Sequence, residues 1–293
     1  MRSEPTSTNS LAAAAAPAAP EMLASRLVEI LRSLGSAAVA LSGGVDSSVV
    51  AKAAQLALGD RALAVTGRSP SLAANELDHA RRAAAAAGIR HVVVDTSEFS
   101  NEDYVRNDGT RCYHCKSELY DVVLRYCERE RISVVCSGAN LDDLGDYRPG
   151  LEAAAERGVR HPLQEAGFRK PQVRALAAYW GLPNWDKPAS PCLSSRIAVG
   201  LEATPERVAR IEAAEAFLRN AGLGEFRVRC HHGEVARIET TGNELIKLCK
   251  APFRDLVVDE FHRLGFNYVS VDLEGFRSGS LNAMVPVEML SRR

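Results

Sequence analysis

The sequence predicts an α/β protein, a mostly parallel, doubly wound sheet followed by a smaller α+β unit. Three observations carry that reading. Short Val/Ala-rich runs alternate with longer amphipathic stretches from residue 23 to residue 181. A Gly/Ser string, SGGVDSS (42–48), falls between the first such run and the helix that follows. Beyond Pro188 the order changes to helix, paired strands, helix, strand. Strands alternating with helices imply parallel pairing with both faces covered.

The elements follow in order. LASRLVEILRSLG (23–35) has helical spacing and stops at Gly35; AAVALS (37–42) reads as a buried strand. SSVVAKAAQLALG (47–59) is a helix, ALAVTG (62–67) a strand, and LAANELDHARRAAAAAG (72–88) a helix with Gly88 past its end. HVVVDT (91–96), the helix KSELYDVVLRYCERER (116–131), SVVCSG (133–138) and the helix RKPQVRALAAYWG (169–181) continue the alternation. In the second unit RIEAAEAFLRNAG (210–222) is a helix. EFRVRCH and EVARIET flank His-Gly as a hairpin; a single helix over 243–264 and the strand YVSVDL (268–273) follow. The predicted organisation is a disordered tail over 1–20, a nucleotide domain over 21–187 and a substrate and sulfur-transfer domain over 188–293. The tail is rich in Ala, Ser, Thr and Pro; Pro17, Pro20 and Glu4 disqualify it as an export signal.

Composition narrows the function. The chain has 293 residues, with 36 basic against 37 acidic, a net charge of −1 and a pI near 6.7. That excludes the global basic field of a non-specific nucleic-acid binder, so no nucleic-acid partner is expected. No apolar run approaches the roughly 18 residues of a membrane span, so no membrane partner is expected. Seven cysteines, an odd number in a long chain, point to metal or catalytic use in a reducing, cytoplasmic setting rather than to disulfides.

The string ALSGGVDSSVV (40–50) sits at a strand-to-helix turn, the carboxyl edge where such sheets bind ligands. Gly43 and Gly44 admit close approach of backbone N–H groups to an anion. Ser42, Ser47 and Ser48 add hydroxyls, and the helix adds its positive end. The spacing matches neither the Walker loop nor the dinucleotide fingerprint. It resembles the PP-loop of ATP pyrophosphatases. The resemblance implies a five-stranded HUP-type sheet, cleavage of ATP between its α- and β-phosphates, AMP transfer to a substrate oxygen, and Asp46 positioning Mg²⁺.

RCYHCK (111–116) places Cys112 and Cys115 just before a helix, between Arg111 and Lys116, which lower thiol pKa. Cys192, in KPASPCLSSR (187–196) at the predicted domain junction, is the third candidate. Three thiolates from two segments suit a [4Fe–4S] cluster with one open iron. Structural zinc, completed by His114, His231 or His232, is the alternative. Cys127, Cys136 and Cys249 read as packing residues; Cys230, in a strand beside basic residues, has no clear role.

The PP-loop, GDYRPGL (145–151), CLSSR, FRVR (226–229), ARIE (236–239) and VDLEGFRSGS (271–280) together resemble the LarE family. The likeness runs from about residue 20 to 285. It implies an ATP-dependent sulfur transferase that converts the carboxylates of pyridinium-3,5-biscarboxylate mononucleotide to thiocarboxylates, for a nickel-pincer nucleotide used in lactate racemase maturation. It further implies an external sulfur donor, nickel-inserting and carboxylase partners of the same pathway, and a homo-oligomer. Family members either sacrifice their own cysteine or hold a [4Fe–4S] cluster on three. Pro191 stands at the sacrificial position here, and Cys112, Cys115 and Cys192 match the cluster type. Sacrificial transfer from Cys192 remains the alternative, as does a PP-loop tRNA thiolase. An ammonia-using synthetase and a zinc-bearing, non-catalytic nucleotide binder are further rivals. Such a substrate requires a basic site: Arg227 and Arg229, two apart on a strand, share one face and suit bidentate phosphate binding, and Arg196 flanks the cysteine. Asp142 and Asp143, after the fourth strand, and Glu215 are weaker Mg²⁺ candidates beside Asp46.

Overall fold

The computed structural model describes residues 19–145 and 149–277. The predicted tail lies outside the described residues up to position 18, as do 146–148 of GDYRPGL and 278–280 of the C-terminal motif. Pro20, assigned to the tail, instead opens helix α1 (Pro20–Arg32). Its missing N–H costs nothing in a first helical turn.

Four strands build the first sheet: β1 (Ala37–Ala40), β2 (Ala62–Arg68), β3 (Arg90–Asp95) and β4 (Val134–Cys136), all parallel, in the order β3-β2-β1-β4. The five-stranded expectation meets a single bridge, Cys136 to Arg160, where a fifth strand would pair. The next helix begins at Pro162, which ends the extended run. The connecting helices are α2 (Val45–Leu58), α3 (Ala74–Ala87), α4 (Glu102–Arg106) and α5 (Arg111–Glu130). After β4 come α6 (Pro149–Glu156), α7 (Pro162–Glu165) and α8 (Lys170–Tyr179).

Alternation along β1 divides its residues between the two faces. Ala37 and Val39 enter a core with Leu27, Leu31, Val49, Val50, Phe168 and Leu176. Ala38 faces Leu63, Val65, Tyr120, Val123 and Cys127. With all strands parallel, the loops after β1, β2, β3 and β4 open on one edge. The strand order reverses between β1 and β4, so a ligand crevice falls there.

The second sheet joins β5 (Phe226–His231) and β6 (Val235–Thr240), antiparallel as the hairpin requires, to β7 (Tyr268–Val271), parallel to β6. Helix α9 (Pro205–Asn220) covers it through Val208, Ile211 and Leu218. The single helix expected over 243–264 is two, α10 (Gly242–Cys249) and α11 (Phe253–Arg263). Pro252 stands between them and has no N–H to continue the ladder. The second core also takes in Tyr104, from α4.

Candidate active site

The phosphate loop is built from its own side chains. Ser47 Oγ and Ser48 Oγ donate to the Gly44 carbonyl at 3.2 and 2.8 Å, and Ser42 N–H donates to Ser47 Oγ at 3.2 Å. Ser47 and Ser48 are buried, so these hydroxyls shape the turn from within. Gly43 has φ +75°, and a Cβ there would stand 2.8 Å from Ala80 N. Only glycine lets the loop lie this close to α3. Gly44 is the N-cap of α2, whose buried start presents its free N–H groups and positive end at the crevice.

Asp46, in the first turn of α2, accepts from Asn140 Nδ2 at 3.1 Å and pairs with Lys170 Nζ at 2.5 Å. Neither partner stands out in the sequence pattern. One signal exists for Lys170: with Arg169 it puts positive charge at the N-terminus of α8, against the helix dipole. Carboxylates offset that charge. Asp142 accepts from Arg169 Nη1 at 2.6 Å and from Lys170 N–H at 2.8 Å. The backbone bond, then Arg169, holds its carboxyl below the usual range. Asp143 accepts from Asn140 N–H at 2.8 Å. Both aspartates expected at Mg²⁺ thus serve the β4–α8 junction here.

A buried pair lies beneath the loop. Lys187 Nζ is 2.6 Å from Glu76 Oε2, with side-chain exposures of 14% and 10%. Burial pushes Glu76 upward, but Lys187, Ser190 and His79 outweigh it and hold the carboxyl below its ordinary value. Asn184 Nδ2 reaches both the Gly43 carbonyl (3.0 Å) and Ser48 Oγ (2.8 Å). Asn184 and Lys187 follow α8 in irregular chain, where periodicity carries no signal.

Cys112 and Cys115 lie within the first turn and a half of α5 rather than before it. The segments bearing the three cysteines are stitched together by α4. Asn107, in the left-handed region at φ 53°, donates through Nδ2 to the carbonyls of Ala198 and Leu201, both at 2.8 Å. Its Oδ1 accepts from Arg111 Nη1 at 2.5 Å. Tyr104 Oη bonds Ser194 Oγ at 2.8 Å. The thiols consequently feel one another: Cys192 raises Cys112, and Cys192 and Cys112 both raise Cys115. Cys112 is nonetheless exposed, and Cys115 and Cys192 are half-buried. The expected depression of these thiols by Arg111 and Lys116 is corrected. Desolvation wins at both: at Cys112 over Arg111 and Lys116, and at Cys115 over Lys116, so that Cys115 is pushed up to about 12.

Among the described residues, no three His, Cys, Asp or Glu side chains are drawn close enough to hold a metal ion. The shell is preassembled for neither cluster nor zinc. The donor chemistry, three thiols from two segments, is of the kind an iron–sulfur cluster takes. Cys127 and Cys136 pack in the cores as expected. Cys230 is also buried, its thiol 3.7 Å from Glu234 Oε2, whereas Cys249 is exposed rather than packed.

The arginines divide by partner. Arg196 Nε donates to Glu215 Oε1 at 3.0 Å, and both side chains are 7% exposed. Its Nη1 also holds the carbonyls of Pro191 and Cys192. Glu215 is thereby engaged by Arg196 and by the Val228 N–H. Arg229 is buried against Glu239 at 2.9 Å. Among the described residues Arg227 bonds a carbonyl, Ala189 O at 3.3 Å, and stacks on Phe276 at 5.0 Å. Burial, then Arg196 and Arg229, push it down to about 10. A guanidinium with no carboxylate partner among the described residues, beside two others, has the chemistry that an anion takes.

The asparagine synthase family model matches residues 22–132. The pyridinium-3,5-bisthiocarboxylic acid mononucleotide synthase of Lactiplantibacillus plantarum is 38% identical over 87% of this chain and 92% of its own length. An uncharacterized protein of Synechocystis is 43% identical over 90% of the chain and 99% of its own. The tRNA-specific 2-thiouridylase MnmA of Azorhizobium caulinodans is 31% identical over 52% and 48%. The strand–loop–helix geometry at Ser42–Ser48 agrees with these matches, and the chain belongs to the LarE family of PP-loop, ATP-dependent sulfurtransferases.

Proposed function

We propose that the chain adenylates the carboxylates of pyridinium-3,5-biscarboxylic acid mononucleotide and replaces one oxygen of each with sulfur. The observation that supports this most directly is the phosphate loop of Ser42–Ser48 at the start of α2, bonded through Asn184 and Lys187 to the chain segment that leads to Cys192. ATP binds with its β- and γ-phosphates on the N–H groups of residues 43–48, and Asp46, once Lys170 yields its place, would hold Mg²⁺. A substrate carboxylate oxygen attacks the α-phosphorus, the α–β P–O bond breaks, and pyrophosphate leaves with the electron pair. Sulfur from an external donor attacks the acyl carbon, and AMP departs carrying the original oxygen. Arginine charge offsets the negative charge that builds at phosphorus, and Mg²⁺, if held by Asp46, would add to that effect. Arg227 receives the substrate's phosphate; Arg196 and Arg229 fix the surface around it.

Cys112, Cys115 and Cys192 would hold a [4Fe–4S] cluster, whose chemistry is to present sulfide as a nucleophile. Residues 21–187 carry the nucleotide half of the reaction and 188–293 the substrate half, in a cytoplasmic enzyme that forms a homo-oligomer.

The test combines anaerobic purification, analysis for iron, zinc and sulfide, and a substrate assay. The expected result is iron with sulfide, pyrophosphate release that requires the mononucleotide, and product mass showing sulfur in place of oxygen. Dehydroalanine at position 192 after turnover of iron-free protein would assign the sacrificial route instead.

A further inference from the structure

The chain from Asn184 to Leu193 is a strap that runs from the phosphate loop to Cys192, fastened along its length. Asn184 Nδ2 and Lys187 Nζ both donate to the Gly43 carbonyl, at 3.0 and 3.4 Å. Lys187 Nζ also contacts Glu76 Oε2 (2.6 Å) and His79 Nδ1 (2.9 Å). Further along, Ala189 O accepts from Arg227, and Pro191 O and Cys192 O accept from Arg196. Leu193 N–H closes the strap on the Ser71 carbonyl at 2.9 Å.

Stability alone does not account for Lys187. A buried ion pair is commonly no better than apolar residues of the same volume. Its acceptor is more telling. The Gly43 carbonyl and the Gly44 N–H belong to one planar peptide and point in opposite directions. Holding the carbonyl from below therefore fixes the direction of the Gly44 N–H, which here makes a long contact to Ser42 Oγ at 3.4 Å that an incoming anion would replace. Toward Cys192 the intervening residues are Pro188, Ala189, Ser190 and Pro191, and the two prolines stiffen the connection by fixing φ.

Resting on the sulfur-transfer reading above, we infer that Lys187 is a positioning residue that couples the nucleotide loop to Cys192. Anion binding at Gly44 N–H loads the 43–44 peptide, and Lys187 passes the load along the strap to the thiol.

The experiment uses the full chain with magnesium pyrophosphate as probe. Iodoacetamide labelling of Cys192 is followed by peptide mass spectrometry, with exposed Cys249 as internal reference. Pyrophosphate is expected to change the wild-type Cys192 labelling rate about fivefold or more, a common size for coupling between sites. Lys187→Met should still bind pyrophosphate by calorimetry, about tenfold more weakly, while its Cys192 rate no longer responds. Glu76→Gln, which keeps the shape and removes the pairing charge, should uncouple in the same way and decides the matter if Lys187→Met does not fold. A wild-type-like response in the folded variants, or wild-type protein that binds pyrophosphate with no change at Cys192, overturns the coupling. Failure of the mononucleotide assay with coupling intact would instead strike the sulfur-transfer reading.

Discussion

Arg227 is the side chain on which substrate recognition turns. Arg196 and Arg229 have carboxylate partners, and among the described residues Arg227 has a carbonyl and a ring. Losing a charge-assisted hydrogen bond costs about 1.5–3 kcal/mol. Arg227→Ala should therefore raise the KM for the mononucleotide about 10- to 100-fold and leave the KM for ATP unchanged. Arg229→Ala should act through folding instead, because it strands the buried Glu239 carboxylate beside Arg237. Steady-state kinetics paired with thermal melts separate the two cases. The sequence placed both arginines on one strand face, as the register confirms, opposite Glu239 and Arg237. It carried no sign of which one a buried carboxylate would take.

At the scale of elements, the phosphate loop is held by close backbone packing from two sides. Gly43 lies against α3, and Gly138, just after β4, lies against the start of α2. A Cβ at Gly138 would stand 2.5 Å from Ser47 N and 3.0 Å from the Asp46 carbonyl carbon. Both neighbours are backbone, so the helix start itself would have to move. Gly138→Ala should cost about 1–3 kcal/mol of stability by overpacking. It should also weaken magnesium pyrophosphate binding at least about tenfold, measured by urea unfolding and calorimetry. The strand–loop–helix arrangement here was legible because glycine spacing and helix polarity are local. The break between α10 and α11 was equally local, since Pro252 is visible in the sequence, yet helical periodicity across it outweighed the proline.

The whole molecule rests on two sheets, with cores on both faces of the first and one under the second, and on the strap and α4 that join them. The Lys187–Glu76 pair makes that junction sensitive to acid. Glu76's folded value lies below its ordinary 4.5. Its stabilising contribution is therefore complete above 4.5 and is lost as pH falls through the lower, folded value. Urea unfolding should show stability dropping across that acidic window, and Glu76→Gln should flatten the drop. An unchanged acid slope in the folded variant would remove the pair from the account.

The amino-acid sequence alone determined the alternation of strands and helices, the phosphate loop and the identity of the thiols. Each depends on spacing within one short segment, where periodicity, glycine placement and side-chain chemistry act locally. Only the tertiary structure decided that Asn107 stitches α5 to the residues beyond Cys192. Likewise, it alone showed Lys170 on Asp46, Lys187 under Gly43, and desolvation overriding Arg111 and Lys116 at the cysteines. The reason is physical: burial and pairing energies belong to groups distant in the chain, and neither exists until the backbone brings them together.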